Sequence, residues 1–162
     1  MNGNKKQMNM GSEGIFTAIS VGFFFVLIGI LLVTTPNLFD NFLDFVKSFR
    51  LIDVPNSNIV LPGPVSPENH IKLYQAAELL SFVLVAFQIV MLLLRFFARS
   101  SWGKRAETVG NLVFWLGAGF LIQSFLIKPP TQWFIFWSLL IIIIGISMIA
   151  RAMVIAGSRL FS

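Results

Sequence analysis

The sequence predicts an all-α membrane protein: four transmembrane helices in an antiparallel bundle, with one interfacial amphipathic helix in the first outer loop. Three observations predict it. Four apolar stretches, 15–33, 76–97, 108–127 and 133–150, would each form roughly 27–33 Å of helix, against a hydrocarbon core of about 30 Å. Apolar residues make up 56% of the 162 and charged residues only 12%, too few charges to keep a soluble domain hydrated. A fifth segment, 37–50, has an apolar and a polar side at helical spacing and is too short to cross.

In order along the chain, residues 1–14 form a polar tail carrying Lys5 and Lys6. It leads into the first span, 15–33. That run is longer than a signal-peptide core, and Val33-Thr34-Thr35-Pro36 lacks a small-x-small cleavage site, so it reads as a retained helix. In 37–50, Leu38, Phe39, Phe42, Leu43, Phe45, Val46 and Phe49 recur mostly at three and four, opposite Asp40, Asn41, Asp44, Lys47 and Ser48. This helix belongs in the interface, its phenylalanines toward acyl chains or the other helices. Residues 51–66 contain Pro55, Pro62 and Pro64, a density that prevents a regular helix and leaves an extended or turn-rich strap.

Ser66-Pro67-Glu68 then marks a helix start, with serine as the cap, proline at the first helical position and an acid in the first turn. The second helix, 67–97, therefore begins before its membrane segment. A short basic loop, 98–107, leads to the third span, 108–127. The turn 128–132 holds Pro129 and Pro130, which end that span. The fourth span, 133–150, opens with the interfacial Trp133 and Trp137, and 151–162 is a second polar tail. The whole chain reads as one membrane domain without an internal repeat of the kind that builds transporters.

Basic residues set the orientation. Lys5, Lys6, Arg95, Arg99, Lys104, Arg105, Arg151 and Arg159 fall on one side, and Lys47, Arg50, Lys72 and Lys128 on the other. Lysine and arginine accumulate on the cytoplasmic side, so both termini are expected there. The net charge of +5 therefore reports topology, and nucleic acid is not an expected partner.

The absence of cysteine removes disulfides, thiolate metal sites and thiol redox chemistry. His70 is the only histidine, so one chain cannot hold a bis-histidine haem, and no serine or threonine has a histidine placed to activate it. No catalytic constellation, cofactor or metal site is expected.

Two patterns remain. Small residues that let backbones approach occur as Gly14, Ala18, Gly22 and Gly29 on the first helix, Gly110, Gly117 and Ser124 on the third, and Ser138, Gly145 and Ala152 on the fourth. A spacing of seven keeps one face and suits helix crossings near +20°. The second helix instead carries polar residues: Tyr74, Ser81, Gln88 and Arg95 stand seven apart, with Glu78 on the flank. Polar groups are costly in hydrocarbon, so this stripe is expected to face protein or water. Asn111 and Gln123 are its natural hydrogen-bond partners, although they lie about 120° apart around their own helix.

The segments Val54-Pro55-Asn56, Leu61-Pro62-Gly63-Pro64, Ser66-Pro67, Lys104-Arg105-Ala106-Glu107-Thr108 and Asn111-Leu112-Val113-Phe114-Trp115-Leu116-Gly117 together resemble small four-helix integral membrane proteins of archaea. The resemblance implies the fold and an archaeal plasma membrane, and implies no activity.

The functional expectation is a non-enzymatic structural or accessory subunit of a membrane assembly. Its partners would be membrane lipids and either further copies of itself or other membrane subunits. One alternative is a small oligomeric carrier or channel with Glu78 as a proton or cation site. Another is a lipid-interacting protein using the amphipathic helix.

Overall fold

The computed structural model describes residues 2–55 and 57–160, with side chains from residue 13 to residue 159 apart from 56. The side chains of Lys5 and Lys6, and all of Phe161 and Ser162, lie outside the described residues. The chain is mostly helical: α1 (Asn2–Thr34), α2 (Leu38–Lys47), a hairpin of β1 (Phe49–Asp53) and β2 (Val60–Pro64), a 3-10 turn (Pro67–His70), α3 (Ile71–Phe97), α4 (Trp102–Leu121) with a π-helical extension (Ile122–Ile127), and α5 (Trp133–Leu160). Four helical segments are long and apolar enough to cross a membrane, namely Glu13–Thr34, Pro67–Phe97, Trp102–Ile127 and Trp133–Arg159.

Several boundaries differ from those read off the sequence. The tails are shorter, because α1 is already helical from Asn2 and α5 continues to Leu160; polar residues at a helix end leave backbone hydrogen bonding intact. The 98–107 loop shrinks to four residues, since α4 starts at Trp102. With no glycine there, Arg99 takes the left-handed conformation (φ 52°) that follows the end of α3. The second helix is not uniform: it opens with the 3-10 turn, and Ser66 makes no side-chain capping bond.

The segment expected as helix through residue 50 stops at Lys47, where the Ser48 hydroxyl donates to the Phe45 carbonyl. Phe49 and Arg50 belong to β1 instead, so the proline-rich strap forms most of an antiparallel hairpin, with Phe49 opposite Pro64 and Asp53 opposite Val60. Its prolines are two apart. The flanking bonds Val65 N–H to Ser48 C=O and Val54 N–H to Ile59 C=O put the hydrogen-bonded positions at 48, 50, 52 and 54. Pro62 and Pro64 therefore fall on pairs from which no N–H is needed. At Gly63 a Cβ would come within 2.8 Å of the Ile52 side chain and 3.3 Å of Trp133, so a larger residue there would have to displace Ile52 and press on α5.

Helix α4 is the central element, packed along its length by α3 and by α5, whereas α1 lies on α3 more sparsely. One α1 contact is the face-to-face stack of Phe23 on Phe87, with centroids 4.1 Å apart. The densest core sits at the hairpin end, where Tyr74, Ile122, Leu126, Trp133 and Phe136 are buried together. From α2, Phe45 inserts edge-on against Phe49, His70, Tyr74 and Trp133, which fastens α2 and the hairpin to the long helices.

Candidate functional site: a polar cavity between α1, α3 and α4

The stripe on α3 splits into two environments. At the hairpin end Tyr74 is buried in the aromatic core, its hydroxyl without a hydrogen-bond partner among the described residues. Ser81, 1% exposed, donates to the Ala77 carbonyl of its own helix at 2.8 Å and packs against Gly119, where an added Cβ would stand 3.3 Å from the Ser81 Cβ. These two residues fill protein–protein contacts.

Gln88 and Arg95 instead line a cavity of about 180 Å3, together with Thr17 and Ser20 of α1 and Lys104, Glu107, Thr108 and Asn111 of α4. It lies at the end of the spans that carries the α3–α4 link. Arg95 is only 7% exposed. Its Nη1 donates to the Lys104 carbonyl at 2.6 Å and to the Thr108 hydroxyl at 2.9 Å, and that hydroxyl donates in turn to the Lys104 carbonyl at 3.0 Å. The guanidinium thus closes the first turn of α4 onto the last turn of α3, satisfying a carbonyl and a hydroxyl that burial would otherwise penalise. Lys104 Nζ pairs with Glu107 Oε2 at 2.9 Å.

The other edge of Arg95 is differently placed. Nε has no hydrogen-bond partner among the described residues, and Nη2 stands 4.0 Å from Glu13 Oε2, beyond hydrogen-bond reach. Both carboxylate oxygens of Glu13 are buried and without hydrogen-bond partners among the described residues. Thr17 and Ser20 donate to α1 carbonyls at Glu13 and Phe16, which leaves their oxygen lone pairs toward other groups.

Glu78 is half-buried and makes no hydrogen bond or ion pair among the described residues, and it does not line this cavity. Of its two expected stripe partners, Asn111 shares the cavity with Gln88 and Arg95, while Gln123 is exposed on the π-helical turn. His70 is half-buried against the Phe45 ring. Among the described residues no three histidine, aspartate or glutamate side chains gather as a metal site.

The small residues also divide. On α4, a Cβ at Gly110 would meet the Ser147 carbonyl oxygen at 3.2 Å and one at Gly117 would meet Ile143 at 2.7 Å, so both glycines face α5. Gly119, outside the spacing-of-seven pattern, serves the α3 side. On α1, Gly14, Gly22 and Gly29 have nothing within 4 Å of an added Cβ, and Ala18 is exposed. On α5, Gly145 is equally open and Ser138 and Ala152 are exposed, as is Ser124. Residues 143 and 147, which α4 uses, lie about 160° around α5 from Gly145.

Sequence reasoning did not bring Glu13, Thr17, Ser20, Lys104, Glu107 and Thr108 to this place. One signal was available, since Glu13 precedes the first apolar run and Arg95 ends the second, which puts them at the same end of oppositely directed helices. Comparison with protein-family models, with curated proteins and with solved structures finds no match to this chain.

Proposed function

We propose that this chain is a non-enzymatic accessory subunit of a membrane assembly, a four-span bundle that docks against further copies of itself or other membrane subunits. One observation carries the reading: the two outer helices, α1 and α5, both turn their small-residue faces away from the chain's own packing. Helices in lipid associate where small residues allow close approach, and here those faces are left over after the chain has packed itself. In this reading both termini are cytoplasmic, by the charge bias, and α2 is an interfacial amphipathic helix with Asp40, Asp44 and Lys47 toward water.

The test uses the cysteine-free background. Single cysteines at Gly22 and at Gly145, oxidised in native membranes, are expected to form intermolecular disulfides, while one at Gly117 is not. A chain that stays uncrosslinked at both outer positions and runs as a monomer by native mass measurement overturns the proposal. Impermeant thiol labelling of cysteines at Ser57 and Ser101 tests the topology, with reaction from opposite sides expected.

A lipid-interacting role is the second reading, favoured by a groove of about 440 Å3 between α1, α2 and α3 with an entirely apolar lining that includes Leu31, Phe39, Phe42 and Leu80. At membrane depth such a groove suits an acyl chain, and α2 would roof it.

A further inference from the structure

The Arg95 cavity is lined by charged and polar side chains from three helices. A guanidinium offers five N–H donors in a rigid plane, and the Nε–Nη2 edge is the one that grips an oxyanion through two parallel bonds. In Arg95 the structural work is done by Nη1 alone, through Lys104 and Thr108. Of its Nε–Nη2 edge, Nε is buried without a hydrogen-bond partner among the described residues and Nη2 stands 4.0 Å from Glu13 Oε2, a costly arrangement for a mostly buried cation.

The surroundings complete a receptor. Lys104 supplies a second cation whose Nζ uses one of three N–H groups on Glu107. The side-chain amides of Gln88 and Asn111 line the wall and make no hydrogen bond among the described residues. The wall therefore carries Arg95 and Lys104 against Glu107, one positive charge in excess. Among the described residues two further charges lie nearby: Glu13, whose carboxylate approaches Nη2 without bonding to it, and Arg151, close enough to act on Glu107. A volume of about 180 Å3 holds roughly six water molecules or a small tetrahedral anion with some of them.

We propose that this cavity binds a phosphate-type oxyanion, from a lipid headgroup or free in solution, on the Nε–Nη2 edge of Arg95, with Lys104 as second cation and Glu13 as a competing carboxylate. Position favours it, because the cavity lies at the level of the α3–α4 link, where a spanning protein meets headgroups and water. Glu13 acts as the tethered occupant of an anion site, close enough to compete and too distant to satisfy the guanidinium.

The experiment measures the unfolding midpoint of the full chain in neutral detergent, with sodium phosphate against sodium chloride at equal ionic strength. It is repeated in phosphatidylcholine nanodiscs with and without phosphatidic acid. Binding to the folded state raises the midpoint. A rise with phosphate in detergent supports the site and assigns a free anion; a rise with phosphatidic acid alone supports it and assigns a headgroup. Glu13→Gln, which touches none of the Arg95 Nη1 bonds, is expected to tighten binding by about tenfold or more, since it removes a like charge next to the ligand. Arg95→Lys keeps the charge without the planar edge and is expected to lose the response. No phosphate or phosphatidic acid effect beyond that of chloride or phosphatidylcholine overturns the proposal. So does a Glu13→Gln variant that binds no more tightly than the parent, an outcome misfolding at Arg95 does not affect.

Discussion

Arg95 near the end of α3 donates to the Thr108 hydroxyl on α4 at 2.9 Å, joining two consecutive spans across a link of only four residues. Among the described residues it is the one hydrogen bond between side chains of two different long helices, and both partners are buried. Thr108→Val keeps the shape and removes the acceptor, leaving an N–H of a buried cation short of a partner. The expected cost is about 1–3 kcal/mol in equilibrium unfolding from detergent. Thr108→Ser, which keeps the hydroxyl, is expected to lose less than about 1 kcal/mol; equal losses for the two would mean that the methyl group, not the bond, matters here.

The glycines separate by neighbour. At Gly110 the first atom a side chain meets is the Ser147 carbonyl oxygen, backbone that moves only with α5. Gly110→Leu is therefore expected to destabilise the chain by about 1–3 kcal/mol. A Cβ added at Gly22 meets nothing within 4 Å, so Gly22→Leu is expected to leave the unfolding midpoint unchanged or higher, because leucine is the better helix former. On the accessory-subunit reading it nevertheless weakens association, which native mass measurement reads directly.

Two phenylalanines one turn apart on α2 have different duties. Phe45 touches four aromatic or imidazole rings, while Phe42 is 48% exposed. Phe45→Ala is expected to cost about 3 kcal/mol and to shift Trp133 emission to the red as water enters. Phe42→Ala is expected to cost less than about 1 kcal/mol. A spin label at Phe42 in bilayers is expected to report an apolar setting and one at Asp44 an aqueous one; equal water accessibility removes the interfacial assignment of α2.

Glu78 distinguishes a carrier from a subunit. Since it has no bond to lose among the described residues, Glu78→Gln is expected to change stability by less than about 1 kcal/mol. Reconstituted vesicles decide its role. A pH-driven flux present in the parent and absent in Glu78→Gln would replace the subunit reading by the carrier.

That the chain forms four helices long and apolar enough to cross a membrane was legible in the sequence, because it follows from apolar run length and from residues that stop a helix locally. The α3 residues seven apart share a face whatever packs there, but their spacing does not say what each one meets. The hairpin was not legible. Prolines forbid helix but do not say which strand lies opposite, and the pairing of Phe49 with Pro64 depends on Phe45, Phe49 and Trp133 packing together at the end of α5. Nor could spacing tell which small residues meet a neighbour: Gly110 and Gly145 look alike along the chain, and only the placement of α4 between α3 and α5 buries one and leaves the other open. The cavity is the clearest case. Glu13, Gln88, Arg95 and Thr108 come from three helices, and periodicity within one helix carries no information about the rotation of another. The sequence by itself determined where the chain can cross a membrane, while the relative rotation of the helices decided which polar groups share a site.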